Sequence, residues 1–372
     1  MDGNSFRDRV DARIGSELDR RLVDRLVGTG GRARRVARVA SYLMATAVYA
    51  ALLCLLVAGG ALLLLGDNWV QRALGVLPLL PMVALLLPRR SDEVLHEVGG
   101  EAAPTFTALL AEVGQALGTQ PPTYVAVSED INAFAGRRGL RERRLVVGAP
   151  LWAALDWPGR LALLGHELGH FSNRDVVHGR YVWWAGVTVS TWIDLLTPHG
   201  LISTEGRTPV FATITTAPLR LPLVGYISVM WKVHAAASRH DELRADTAAA
   251  ALAGTPGVVE MLESILLSDL IDVAANRAAI DPRRPDLELE IRTRIEGVSE
   301  AARRALPASG EESSVDRTHP STIDRLRLQE SLPPAPPTIT MDDDRVARIE
   351  AELRPMTAAA LKRTADGYRH VW

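Results

Sequence analysis

The sequence predicts an α+β, mostly helical fold: a multi-span α-helical membrane protein with a second part that carries a small β-sheet. Hydrophobic residues make up 47% of the chain although 23% of its residues are charged, so the apolar residues must be concentrated in blocks. The longest of these blocks matches the length of a membrane span. Between the blocks, short β-like runs alternate with helical periodicity, which indicates a folded α+β part.

The chain begins with a charged, arginine-rich stretch over 1–38, which we expect to be a cytosolic segment. Residues 39–65 are almost wholly apolar and exceed the ~20 residues that cross a bilayer. A shorter apolar block over 73–87 follows a turn, so 39–88 is predicted to form a transmembrane hairpin. A signal peptide is the alternative, but its apolar region is only about 7–15 residues long.

Arginines flank this hairpin on both outer sides, whereas the loop inside it carries only Arg72. They are Arg32, Arg34, Arg35 and Arg38 before the hairpin, and Arg89 and Arg90 after it. Basic residues collect on the cytoplasmic side of membrane proteins. The pattern therefore predicts a multi-pass protein of the cell membrane whose folded part faces the cytoplasm.

The region after the hairpin is predicted to be folded outside the membrane. In order, we expect a helix over Val94–Leu117, short strands over Thr123–Val127 and Leu145–Val147 with Ile131–Ala135 between them, and a surface turn over Gly136–Arg144. Asp156 is a candidate N-cap and Pro158 a first-turn residue, so a further helix begins there. This helix is expected to run through the histidines near residue 170.

Two more apolar stretches, about 181–196 and 210–233, are ambiguous. Each is interrupted, by Asp194 in the first and by Arg220 and two prolines in the second. Either they are buried or interfacial helices, or they span the membrane. The basic residues that precede the first and follow the second favour spanning. Residues 91–330 then form one domain that these two helices interrupt, and 331–372 form a Pro-rich linker and a charged helix.

The composition argues against nucleic-acid binding and against thiolate metal sites. The net charge is −2, which gives no basic face for nucleic acid, so we expect no nucleic-acid partner. Cys54 is the only cysteine, which excludes intrachain disulfides and sites with several thiolates. A metal site in this chain must therefore use histidine and carboxylate ligands.

The strongest motif is His166-Glu-Leu-Gly-His170. Histidines four residues apart lie on one helix face and can bind one ion, and neutral imidazoles suit Zn²⁺. Glu167, next to the first histidine, is placed to take a proton from a water molecule that the metal makes acidic. Two histidines without a partner would be costly among apolar neighbours. We therefore expect one Zn²⁺ per chain, bound by His166 and His170, with Glu167 as general base.

A third protein ligand must come from elsewhere, and the next acidic cluster contains Glu242 and Asp246. These two share a helix face, so one could bind the metal while the other orients a ligand histidine. Alternatively, they lie on a solvated helix and pair with Arg239 and Arg244. The residues alone leave both interpretations open.

Together these motifs resemble the HtpX and CAAX-prenyl-endopeptidase type of integral-membrane metallopeptidases, which are gluzincins. The resemblance implies that His166, His170 and Glu242 hold zinc, that Glu167 is the base, and that Asp246 supports the site. It also implies a gluzincin-type metallopeptidase domain with a polypeptide substrate, namely membrane or misfolded proteins, and contact with the lipid bilayer.

Two further segments extend the resemblance. Asn132-Ala-Phe-Ala135 resembles the strand that lies along the substrate in this family, and Thr318-His-Pro-Ser with Arg325 resembles a late motif that places His319 near the active site. The alternative function is a catalytically silent zinc-binding membrane scaffold, although such a scaffold has no need of Glu167. A secreted soluble zinc protease is a third possibility. The oligomeric state is left open.

Overall fold

The structure is a computed structural model, and it describes residues 31–76, 94–138, 142–172, 175–197, 210–281, 286–306 and 321–369. Helices dominate this part of the chain. In order, they are α1 (Gly31–Leu65), α2 (Trp69–Val76), α3 (Pro104–Ala116), α4 (Ala149–Ala153), α5 (Trp157–Ser172), α6 (Asp175–Leu195), α7 (Val210–Leu266), α8 (Ser268–Ile280), α9 (Leu287–Glu296), α10 (Glu300–Ala305), α11 (Thr322–Ser331) and α12 (Asp343–Arg369). The strands are β1 (His96–Glu97), β2 (Tyr124–Ser128), β3 (Ala133–Arg138) and β4 (Glu142–Gly148).

The four strands form one small mixed sheet in the order β1-β2-β4-β3. β2 and β4 run parallel, with Val125 opposite Leu145, and the two outer strands pair antiparallel. The predicted α+β, mostly helical character is therefore confirmed, and the two predicted strands correspond to β2 and β4. β3 lies at the edge of the described sheet, on the side next to α5.

Two predicted elements of this region were wrong in extent. The helix expected from Val94 begins only at Pro104, because His96 and Glu97 pair with β2 and two glycines follow them. The surface turn expected over Gly136–Arg144 is mostly strand, since β3 and β4 pair as far as Arg138 and Glu142. Arginines in this hairpin stack on aromatic rings, as Arg144 does over Phe134 at 4.7 Å.

The apolar residues form two separate clusters. The larger one joins the sheet, α3 and α5 to the end of α7 and to α8, α9 and α12. The smaller one joins α1, α6 and α7, through residues such as Val48, Val182 and Met230. α7 contributes to both clusters. It therefore connects the folded domain with the apolar helices.

The apolar segment 210–233 continues directly into the folded domain, because α7 runs from Val210 to Leu266. It bends at Gly254, where φ is 80°, and Pro256 follows. Pro256 has no N–H to donate to the carbonyl of Leu252. Thr338 and Ile339 supply those bonds instead, with N···O distances of 3.0 and 3.1 Å. The Pro-rich segment is thus docked on this bend.

α12 packs on the same domain. Ile349 and Leu353 are buried in the larger apolar cluster, and Glu350 pairs with Arg160 of α5 at 3.0 Å. The predicted charged C-terminal helix therefore has an apolar face that contacts the domain core.

Two helices of the described part are long and apolar enough to cross a membrane, as judged by length and composition: Arg34–Leu65 and Thr215–Leu266. They include the predicted spans 39–65 and 210–233. The predicted span at 181–196 lies in α6, which is not one of these two helices. Of the predicted block 73–87, only the residues of α2 up to Val76 are described.

Candidate metal centre

α5 places the two histidines of the motif on one face. The N-terminus of α5 is bound by a residue that is remote in sequence. Glu260 of α7 accepts hydrogen bonds from the backbone N–H groups of Asp156 (2.6 Å) and Gly159 (3.1 Å). Asp156 does stand immediately before the helix, as predicted, but the carboxylate that receives these first-turn donors is that of Glu260. The predicted helix through the motif is therefore present, and α7 anchors its start.

α5 and α7 approach closely because small residues face each other between them. A Cβ added to Gly165 would lie 3.1 Å from the Cα of Ala249, and one added to Gly169 would lie 3.4 Å from the Cα of Ala245. A methyl group at Gly165 would be too close to α7, whereas one at Gly169 would make ordinary contacts. This close contact brings the histidine face of α5 against Glu242 of α7.

His166, His170 and Glu242 offer three ligand atoms that converge on one point. The Nε2 atoms of the two histidines are 3.4 Å apart. The carboxylate oxygens of Glu242 lie 3.4 Å from Nε2 of His166 and 3.5 Å from Nε2 of His170. Ligands about 2.1 Å from one tetrahedral zinc ion are separated by about 3.4 Å. The three residues therefore fit a metal ion of this size.

Asp246 orients the first of these histidines. Its Oδ1 lies 2.9 Å from Nδ1 of His166, so the imidazole donates a hydrogen bond from Nδ1 and keeps Nε2 for a metal. Such a carboxylate partner fixes both the tautomer and the ring orientation of a ligand histidine. Asp246 is fully buried, so its charge in turn needs a partner.

Arg325 of α11 is that partner. Its Nε and Nη2 donate to the two carboxylate oxygens of Asp246 at 2.8 and 2.6 Å. Its Nη1 lies 3.6 Å from Oε2 of Glu242. A planar guanidinium suits such a two-point contact with a carboxylate. Arg325 thus contacts both Asp246 and Glu242.

These contacts shift the pKa values of Asp246 and His166. Burial alone would raise the pKa of Asp246, but the charge of Arg325 and the hydrogen bonds lower it below its ordinary range. Burial would lower the pKa of His166, but the hydrogen bonds to Asp246 and Glu242 outweigh this effect and raise it. A metal ion at Nε2 would take the place of the extra proton.

Glu167 faces the same cavity from the neighbouring helix position. Burial raises the pKa of its carboxyl group, while His166, His170 and a backbone hydrogen bond from Ala135 of β3 oppose the rise. A carboxylate with a raised pKa is a better proton acceptor near neutral pH. The arrangement therefore combines three residues that could hold a metal ion with a carboxylate suited to act as a general base.

The cavity has a volume of about 540 Å³ and a mixed lining. Its polar lining includes the four site residues together with Asn132, His178, His234, Ser238, Asp241 and Arg325. Its apolar lining includes Leu151, Leu163, Met261 and Ile265. It is large enough to take several side chains of a polypeptide.

Of the seven site residues expected from sequence, the structure brings five together: His166, Glu167, His170, Glu242 and Asp246. Asn132 lies at the cavity beside β3, where its Oδ1 accepts a hydrogen bond from the N–H of Ala133 at 2.9 Å. His319 lies outside the described residues. Sequence reasoning gave Arg325 no role; only its position after the Thr-His-Pro-Ser segment pointed to it.

Comparisons with known proteins identify a family and several relatives. The model of the family described as "Peptidase family M48" matches residues 101–331. A protein named "Protease HtpX homolog" from Thiobacillus denitrificans is 28% identical over 151 residues, which are 39% of this chain and 50% of that protein. One from Sulfurihydrogenibium is 25% identical over 248 residues, 64% of this chain and 77% of the relative.

A third protein of this name, from Thermoplasma volcanium, is 35% identical over 69 residues, which are 18% of this chain and 22% of the relative. With the first of these relatives, the match spans about half of the relative's length. The family match ends before the docked Pro-rich segment and α12. Those C-terminal elements pack on the domain beyond the matched region.

Proposed function

This chain belongs to peptidase family M48, and on that basis we propose that it is a zinc-dependent membrane endopeptidase that cleaves membrane or misfolded proteins. The proposal rests on one observation above all. Two histidines and a glutamate from different helices present ligand atoms 3.4–3.5 Å apart, with Glu167 beside them. The name "Protease HtpX homolog" of the relatives supports the same reaction.

His166, His170 and Glu242 would hold the zinc ion, which supplies a Lewis acid that makes water acidic and polarises a peptide carbonyl. Glu167 takes the proton from the attacking water and passes it to the leaving amine. Asp246 holds His166 in the tautomer that leaves Nε2 available, and Arg325 holds Asp246. These residues thus divide binding, orientation and proton transfer among them.

The edge of the sheet offers a place for the substrate backbone. Among the described strands, β3 pairs only with β4, and Ala135 of β3 and the preceding Asn132 line the cavity. Peptides commonly bind such an edge as an added strand. A polypeptide aligned there would pass close to Glu167, whose carboxylate accepts a hydrogen bond from the backbone of Ala135.

The apolar helices support a location in the bilayer. α1 exposes large apolar side chains such as Leu53, Val57 and Leu64, which are unfavourable in water over so wide a surface. We propose that α1 and the first half of α7 span the cell membrane, with the catalytic domain on the cytoplasmic side. Membrane proteins would then reach the cavity from the bilayer.

The test compares Glu167→Gln with wild type, using the full chain in detergent, its zinc content and its cleavage of fluorescein-labelled casein. We expect Glu167→Gln to keep zinc and lose at least about 100-fold in rate, the range of general-base contributions. The exposed Glu296→Gln is the control and should be unaffected. Zinc binding without cleavage by the wild type would favour the silent scaffold, and full activity of Glu167→Gln would contradict the mechanism.

A further inference from the structure

An ion pair connects the start of α1 with the turn of α7 that carries the third metal ligand. Nε of Arg34 donates to Oδ1 of Asp241 at 2.6 Å, and Nη2 of Arg34 contacts the same oxygen. Arg38, one turn further along α1, has its Nη2 3.8 Å from Oδ2. Arg34 and Asp241 are 207 residues apart in the chain. The contact is therefore purely tertiary.

The ion pair between Arg34 and Asp241 is largely buried. The side chain of Asp241 is 5% exposed and that of Arg34 is 16% exposed. Removing Arg34 would take away the cation in closest contact with this buried carboxylate and leave Arg38 at 3.8 Å, and loss of a partner is costly for a buried charge. The Arg34 contact therefore restrains the turn of α7 that contains Asp241.

Asp241 directly precedes Glu242, and both line the catalytic cavity. Glu242 is approached from one side by Arg325, whose Nη1 is 3.6 Å from Oε2. Arg34 reaches the adjacent residue from α1. Arg34 and Arg325, which are far apart in the sequence, thus contact the same turn of α7 beside the histidines of α5.

Other contacts seat α1 in this place. Ser41 of α1 is 2.8 Å from Nε2 of His178 in α6, and the hydroxyl of Tyr226 in α7 donates to the carbonyl of Met44 at 2.7 Å. α1 is thereby joined to both helices that connect the apolar cluster with the metal centre. Movement of α1 would be transmitted to the Glu242 turn through Asp241.

We propose that Asp241 is a positioning residue whose ion pair with Arg34 sets the metal affinity of the centre by holding Glu242 towards His166 and His170. The inference rests on the proposed metal site. It makes the site depend on the seating of α1, one of the two apolar helices, so that the centre is complete only when this helix is docked.

Positioning and simple electrostatics predict different results. If only charge mattered, removing the cation of Arg34 would make the centre more negative and strengthen zinc binding, while removing the anion of Asp241 would weaken it. If the ion pair positions Glu242, both changes weaken binding. Because each then destroys the same contact, the double variant should be no weaker than the single ones.

The experiment measures the zinc affinity of the full chain in detergent by competition with a chromophoric chelator. We expect about 10-fold weaker binding for Arg34→Gln and for Asp241→Asn, in the range seen when the support of a metal ligand is removed. The double variant should lose the same factor. Arg34→Lys keeps the cation and should recover most of the affinity.

Arg303→Gln is the matched control, because Arg303 forms an ion pair of 2.9 Å with Glu263, on the same helix α7 but beyond the bend at Gly254. A purely structural role would lower the thermal stability of all these variants and change zinc affinity in none. Unchanged affinity, or opposite shifts for Arg34→Gln and Asp241→Asn, would overturn the inference. If the wild type bound no zinc, the proposed function itself would fail.

Discussion

At the scale of single residues, the centre depends on how buried charges are paired. Glu167, Glu242 and Asp246 are all buried, and Arg325 contacts two of these carboxylates. A buried ion pair costs desolvation, so its presence is better explained by geometry than by stability. In this centre, the ion pairs orient His166 and Glu242.

Arg325→Gln should therefore weaken metal binding more than folding. The glutamine cannot donate at two points to Asp246, so His166 loses its fixed orientation, and we expect about 10–100-fold lower zinc affinity. Chelator competition measures the change. Arg327→Gln is the matched control on the same helix, because Arg327 is largely exposed and pairs with Asp324. Equal affinities of the two variants would refute this role for Arg325.

At the scale of elements, the contact between α5 and α7 decides whether the ligands meet. Gly165 and Gly169 lie one helical turn apart and both face α7, but they differ in the space beside them. A Cβ at Gly165 would lie 2.9 Å from Cδ1 of Leu252 and 3.1 Å from a backbone atom, whereas at Gly169 its nearest neighbours are at 3.4 and 3.5 Å. The first distances are too short for packed carbon atoms and the second are ordinary contacts.

Gly165→Ala and Gly169→Ala should thus have opposite effects. Alanine favours a helix by up to about 1 kcal/mol over glycine, so Gly169→Ala should keep or raise the melting temperature and keep zinc binding. Gly165→Ala would place its methyl group 3.1 Å from the Cα of Ala249, so the neighbouring atoms must shift by a few tenths of an ångström. We expect this to cost about 1–3 kcal/mol, as at other overpacked sites. Thermal unfolding and zinc content check both variants. Similar behaviour of the two would show that the helix spacing is not limiting.

A second contact between elements caps α3. The residue before this helix, Ala103, offers no side-chain cap. Instead, the carboxylate of Glu352 in α12 accepts hydrogen bonds from the N–H groups of Thr105 and Phe106 at 3.0 and 2.9 Å. Partial burial would raise the pKa of Glu352, but these hydrogen bonds lower it below the ordinary value. The ionised form therefore stabilises the fold.

This shift predicts a pH dependence. Because the folded pKa of Glu352 is lowered, its contribution is present above the unfolded value of about 4.3 and is lost as the pH falls through the folded value. We expect Glu352→Gln to cost about 0.5–2 kcal/mol at pH 7, the range for helix caps, and less as the pH falls below about 4. Denaturant unfolding at several pH values, with the exposed Glu330→Gln as control, tests this. A pH-independent difference would contradict it.

At the scale of the whole molecule, the C-terminal elements complete the domain although the family match ends at residue 331. Thr338 and Ile339 satisfy the carbonyl of Leu252 at the bend of α7, and Leu353 is buried in the main core. The bend lies in the helix that carries Glu242. The segment 332–369 therefore packs on the same helix that carries Glu242.

Removing residues 332–372 should consequently destabilise the domain and lower its zinc content. A milder change at the same place, Leu353→Ala, should cost about 2–5 kcal/mol, as other large-to-small core substitutions do. Thermal unfolding and metal analysis of both proteins provide the test. A truncated chain with wild-type stability and zinc content would show that these contacts are dispensable.

The last prediction concerns the membrane location of the apolar helices. If α1 and the first half of α7 lie in the bilayer, the full chain should remain with membranes after alkaline carbonate washing, since two apolar spans are not extracted by charge screening. Arg substitutions at exposed apolar positions of α1, such as Leu53→Arg, should reduce this retention, while Glu296→Gln should not. Release of the wild type into the supernatant would contradict the membrane location.

Local periodicity allowed the sequence to determine two histidines and a base on one helix, because their spacing equals one helical turn whatever surrounds them. Apolar block length likewise identified the candidate membrane helices. Boundaries were less well predicted: the start of α3 and the turn after Gly136 depended on strand pairing, which is not visible in a short window.

Only the tertiary structure decided the rest of the centre. From the sequence, Glu242 and Asp246 suited a solvated helix as well as a metal site, and the choice depended on the approach of α5 to α7. Arg325 lies 79 residues from Asp246, and Arg34 lies 207 residues from Asp241. Contacts over such separations leave no local pattern. They arise because buried charges must find partners wherever the fold brings them.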